Sequence, residues 1–233
     1  MKDPHKIRAR KAIMQVLRSP LYLWTVGTGS IIAGGICFIL YFITQVLSEL
    51  AFFDAKFTFL MVGAVFVLSP IPGNVFGAWY VQKKLGGYRN YAQGLRFTWV
   101  MGVVSFASCL VLTAAALLKA KEGSQAGVLV SIVYVAAFYL YLFAGAAPTA
   151  TINGTAVSLM PGSSIAGSGI QFSMQNTGRL IIPAIGGVVI EALGDKVVLG
   201  FQLVLICAGI LGLVTSAVGY RIALQEYPPN SDD

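Results

Sequence analysis

The chain has 233 residues, of which 57% are hydrophobic and only 11% charged, with 26 glycines and a net charge of +7. A water-facing domain usually carries about 25% charged residues, because its surface must be wetted. The mean hydropathy of +0.78 therefore excludes soluble globular domains, disordered chains and nucleic-acid modules, and it points to a membrane protein with an all-α fold.

A crossing helix needs about 20 apolar residues to span about 30 Å of hydrocarbon. Predominantly apolar stretches of that length predict six spans, at 20–47, 57–81, 97–118, 127–157, 164–191 and 197–220, charge-free except for Arg179 and Glu191 in the fifth. The long block between Gly123 and Gly178 divides at Met160-Pro161-Gly162-Ser163-Ser164, a Pro-Gly turn followed by polar residues. Pro148 lies inside the over-long fourth span and predicts a kink there. Residues 1–19 form a basic segment ahead of the first span, 20–220 the transmembrane domain and 221–233 a tail. The first apolar run is too long for a signal-peptide core and reads as a retained helix.

Lysine and arginine placement orients the spans. Lys2, Lys6, Arg8, Arg10, Lys11, Arg18, Lys83, Lys84, Arg89, Arg96 and Arg221 fall on one side, against Lys56, Lys119, Lys121 and Lys196 on the other. Both termini are therefore expected in the cytoplasm, and the basic excess is a topology signal that leaves nucleic acid out as a partner. Residues 6–18 place Ile13 and Leu17 one turn apart amid basic neighbours, as in a short helix on an anionic leaflet. A solvated basic tail accounts for that pattern equally well.

Residue chemistry separates the six-span architectures. An intramembrane serine protease needs a histidine base in the bilayer, and the only histidine is His5, in the tail. Paired Asn-Pro-Ala half-helices and the threefold repeat of mitochondrial-type carriers are absent from the sequence. No Cys, His, Asp and Glu cluster has metal-ligand spacing, so neither a metal, a cofactor nor enzymatic chemistry is expected. Cys37, Cys109 and Cys207 sit in apolar runs and read as packing residues.

Three motifs then carry a resemblance. They are Gly73-Asn-Val-Phe-Gly-Ala-Trp-Tyr-Val-Gln-Lys-Lys-Leu-Gly-Gly-Tyr-Arg, Met160-Pro-Gly-Ser-Ser-Ile-Ala-Gly-Ser-Gly and Gly178-Arg-Leu-Ile-Ile-Pro-Ala-Ile-Gly-Gly187. In order, they resemble the loop between helices eight and nine, the turn between helices ten and eleven, and helix eleven of the major facilitator superfamily (MFS). The chain is thus similar to the C-terminal six-helix half of such a transporter, and the Pro148/Pro161 and Gly178/Pro183 spacings look most like Spinster-type members, which carry lipid-like solutes. Val81 stands where the superfamily loop usually has an aspartate, serines replace an arginine after Pro161, and Arg179 stands where an acid is usual. The resemblance implies a secondary carrier for a small organic or lipid-like solute in the plasma or endolysosomal membrane. It also implies a partner bundle, either an N-terminal half or a second copy. The other reading is a non-transporting membrane protein that binds or regulates a full-length partner.

Polar residues within spans are the candidate substrate path, because facing lipid is costly. Ser168, Gln171, Gln175 and Arg179 follow at intervals of three, four and four and so share one helical face, with Asn176 beside them. Arg179 sits near mid-span, where insertion scales set the cost of a charge at about 2.5–3.5 kcal/mol. It serves either a ligand or acidic partner, or the bracing of the helix near Gly178. Thr149 and Asn153 share a face of the fourth span, and Thr151 and Thr155 lie on another. Pro148 is a bending point for alternating access or a static kink. No acid lies mid-span; Glu49, Asp54, Glu122, Glu191 and Asp195 all gather at the non-cytoplasmic ends.

Overall fold

A computed structural model describes residues 13–14, 16–52, 54–122, 128–160, 164–194 and 196–227. Most of the basic segment, the 161–163 turn and Asp195 lie outside the described residues, so the helix-or-tail question for 6–12 and the Pro161 turn are not addressed by it. The helices are α1 (Pro20–Leu50), α2 (Ala55–Leu68), α3 (Pro70–Lys84), α4 (Tyr91–Glu122), α5 (Val128–Ala146), α6 (Thr149–Ser158), α7 (Ser164–Ala192) and α8 (Val197–Glu226), and no strand occurs among the described residues.

Local chemistry sets the ends. Ser19 caps α1, its side chain accepting from the Tyr22 amide at 3.3 Å, with Pro20 in the first turn where a missing N–H is harmless. Asp54 caps α2 in the same way at 2.9 Å. After α3 the chain reverses through Gly86 and Gly87, with φ of +75° and +98°, conformations that a side chain would oppose.

Two proline breaks interrupt spans. Pro148 separates α5 from α6, at the predicted kink. Pro70 separates α2 from α3 at the buried Ser69, which the reading of 57–81 as one run did not foresee. Taking each broken pair as one crossing, α1, α2–α3, α4, α5–α6 and α8 are long and apolar enough to span a membrane, five in all among the described residues. The chain is thus an all-helical multi-pass membrane protein. The sixth expected span, α7, forms one 29-residue helix, but Gln171, Gln175, Asn176 and Arg179 dilute its hydropathy and it does not join the five.

Packing follows a doubled pattern. α1 lies against α7 and α8, α5–α6 lies against α2–α3 and α4, and α4 lies against α8. In lipid there is no hydrophobic drive between helices, so close backbone approach through small residues does the work. At the α1–α7 crossing, a Cβ on Gly34 would stand 2.5 Å from the Gly178 carbonyl oxygen, and one on Gly178 would overlap the Ser30 carbonyl. At the α3–α5 crossing, Gly73 meets the Phe143 carbonyl at 2.5 Å on the same construction, and Gly77 abuts that of Ala147. Phe38 of α1 fills the notch at Gly186 of α7 and stacks on Phe201 of α8, with ring centroids 5.1 Å apart.

The starts of α1 and α4 and the ends of α3, α6 and α8 converge at one end of the bundle. Leu21, Leu95 and Ala223 share an apolar cluster there, Val16 packs with Tyr22, Ala156 and Met160, and the Tyr91 hydroxyl donates to the Ser158 carbonyl at 3.0 Å. Arg18, Lys83, Lys84, Arg89, Arg96 and Arg221 all belong to this basic end. At the opposite end Lys119 is buried, its ammonium 5.6 Å from the centre of the Phe52 ring.

Candidate functional site

The polar residues of α6 and α7 meet over a glycine of α1. Asn153 Oδ1 accepts from Nε2 of both Gln171 and Gln175, the latter at 3.2 Å. Gln171 is buried at 6% exposure, Gln175 is half-buried and Asn153 is exposed. Gly29 leaves room for this cluster, since a Cβ there would stand 3.2 Å from Gln175 Nε2. Three helices thus contribute to a polar patch that begins inside the bundle and ends on its surface.

The remaining predicted residues divide. Arg179 is exposed one turn further along α7, and among the described residues its guanidinium bonds only Asn176 Oδ1, at 3.1 Å. Ser168 is exposed and donates to the Ile165 carbonyl of its own helix at 3.1 Å. Thr149 is half-buried on α6, one turn before Asn153. The row is therefore not enclosed in the bundle core. Gln171 is tied into the helix packing, while Ser168, Ser173, Thr177 and Arg179 face outward.

Pro148 is buried with φ −75° and ψ −9°. Having no N–H, it leaves the Ala144 carbonyl without its helical partner. Both residues border a partly open pocket of about 50 Å³ between α1, α4, α5 and α8. Its polar lining consists of the hydroxyls of Thr28, Thr98, Ser105, Tyr141 and Ser216. At about 10–15 Å³ of such space per water, this is room for a few solvent molecules beside the break.

Several polar groups escaped the sequence reading. Gln202 of α8 accepts from Thr113 of α4 at 2.8 Å while 1% exposed. Thr151 and Thr155, already placed on a separate face of their span, are fully buried, their hydroxyls without a hydrogen-bond partner among the described residues and the Thr151 methyl and Thr155 hydroxyl turned toward Gly94 of α4. The Tyr22 hydroxyl donates to the Gly167 carbonyl, tying α1 to α7. A lone glutamine in an apolar helix signals only an interhelical bond, and nothing in its spacing names the partner. Beyond the last span, the Tyr227 phenol is held above its ordinary range by burial, with Glu226 and Tyr91 adding to the shift. Compared with protein families, curated proteins and solved structures, the chain matches none.

Proposed function

We propose that the chain is one six-helix half of an MFS-type secondary carrier, moving a small organic or lipid-like solute by rocking against a second bundle. The observation that carries this reading is the polar face of α7 beside α6. It exposes Asn153, Ser168 and Arg179 in a molecule whose other outer surfaces, the flank of α7 that carries Leu180 included, show residues such as Phe59, Leu60 and Val128. Exposed to hydrocarbon, such a face is unfavourable, and the charge alone amounts to about 3 kcal/mol. Against a wet conduit closed by a companion bundle it is at ease, and Arg179 is left free to meet an anionic solute or an acid of the companion. On this reading α7 is the sixth crossing, the basic end is cytoplasmic and Pro148 is a hinge.

The packing adds support. The contact of α1 with α7 has its counterpart in that of α5–α6 with α2–α3, each through glycines. The contact of α1 with α8 has its counterpart in that of α5 with α4. Two three-span units related in this way are what an internally repeated transporter half would contain.

Site-directed cysteine labelling tests the proposal in native membranes, after Cys37, Cys109 and Cys207 are replaced. Cysteines at Ser168, Gln175 and Arg179 are expected to react with a membrane-impermeant thiol reagent, while a cysteine at Leu180, 72% exposed on a different face of the same helix, stays inert. Equal inertness at all four positions would put the face in lipid and remove the conduit.

A further inference from the structure

A second surface feature lies at the basic end, away from α7. The last turns of α3 and the first turns of α4 diverge around a cleft of about 380 Å³. Phe76, Tyr80 and Phe97 form its floor, Val100 and Met101 line the α4 side, and Gln93 and Arg96 stand at the mouth. Tyr80 stacks on Phe97 with centroids 4.9 Å apart and Phe76 lies 6.2 Å from the same ring, so these rings join into one continuous aromatic floor. The cleft is apolar in its depth and cationic at its rim.

Its charges have nothing to neutralise them nearby in the chain. Between Asp54 and Glu122 the sequence contains no acid, yet it carries Lys83, Lys84, Arg89 and Arg96. All four are exposed, and among the described residues Arg96 has no hydrogen-bond or ion-pair partner. The Gln93 backbone N–H bonds Asn90 Oδ1 at 3.4 Å, but its side-chain amide is likewise unengaged. A free guanidinium beside an amide offers a fork of donors matched to phosphate oxygens. Arg96 and Met101 are five residues apart, about 7.5 Å along the helix axis, the step from a headgroup phosphate to the first acyl methylenes.

We propose that this α3–α4 cleft binds an anionic phospholipid, its phosphate held by Arg96 and Gln93 and one acyl chain laid over the aromatic floor along Phe76, Val100 and Met101. Basic recesses between crossing helices are suited to such headgroups. The inference rests on membrane residence alone and is independent of transport through the α7 face.

The test is native mass spectrometry of the full chain, released from detergent containing equal amounts of phosphatidylglycerol and phosphatidylcholine. Wild-type protein is expected to retain phosphatidylglycerol about fivefold over phosphatidylcholine, the preference of one basic residue at a membrane surface. Arg96→Gln should abolish that preference and Arg96→Lys should keep most of it, whereas Arg221→Gln, at the same end but outside the cleft, should leave it unchanged. Met101→Trp, which fills the cleft without touching a charge, should lower retention of the lipid and so covers the case in which Arg96→Gln misfolds. Three results overturn the proposal. These are an unchanged preference in folded Arg96→Gln, an equal loss in Arg221→Gln, or displacement of the lipid by millimolar glycerol phosphate, which would assign the rim to a soluble phosphate ester.

Discussion

Replacing Asn153 with alanine removes one oxygen and two hydrogen bonds, because Gln171 and Gln175 donate to the same Oδ1. The two losses differ. Gln171, at 6% exposure, has no water to turn to, so its bond belongs at the upper end measured for interhelical pairs, about 1.7 kcal/mol. Gln175 is half-buried and recovers part of its loss, which sets its share near the average of about 0.6 kcal/mol. Together they predict a destabilisation of about 2 kcal/mol, some thirtyfold in the unfolding equilibrium. The assay is detergent-driven unfolding in mixed micelles followed by far-UV circular dichroism, run as a double-mutant cycle of Asn153→Ala with Gln171→Ala. The cycle should return a coupling above about 1 kcal/mol, as expected for directly bonded residues. Additive single mutants would show that the α6–α7 contact is ordinary packing, and the shared acceptor would then explain nothing.

Other perturbations bear on the same framework. Gly178→Ala drives a methyl into the Ser30 carbonyl and should destabilise by about 2 kcal/mol or more, whereas Gly27→Ala, with open space around it, should be neutral or stabilising by up to about 1 kcal/mol; the same unfolding titration distinguishes them. Arg179→Leu should ease membrane insertion of α7 by about 2.5–3.5 kcal/mol in a glycosylation-reporter assay, and an unchanged insertion fraction would mean that the arginine snorkels out of the hydrocarbon. Tyr22→Phe removes the hydroxyl that reaches Gly167 on α7 and should lower stability by about 1 kcal/mol, read from the midpoint of that unfolding curve.

Most helices were legible because an apolar run is bounded by charge, the fourth and fifth were divided only by the Pro161-Gly162 turn, and Pro148 stood out as a breaker within a run too long for one element. Pro70 was equally visible in the sequence, but a 25-residue stretch (57–81) of ideal crossing length drew no attention to it. The Gln171–Arg179 row was readable as a face by periodicity. What spacing does not encode is the short reach of α6, whose single amide Asn153 covers the first half of the row and leaves Arg179 outside. The hydroxyl-lined cavity and the α3–α4 cleft depend on side chains brought together from different helices, so no window along the chain contains either.

Where Gly34 meets Gly178, and again where Gly73 and Gly77 meet the carbonyls of α5 and its end, neighbouring backbones are riveted too tightly to slide past one another. On the carrier reading, deformation would fall to the two joints where a donor is missing, Ser69–Pro70 and Ala147–Pro148, one at each end of the α3–α5 rivet. A bundle put together this way would flex at its elbows while its seams stay shut.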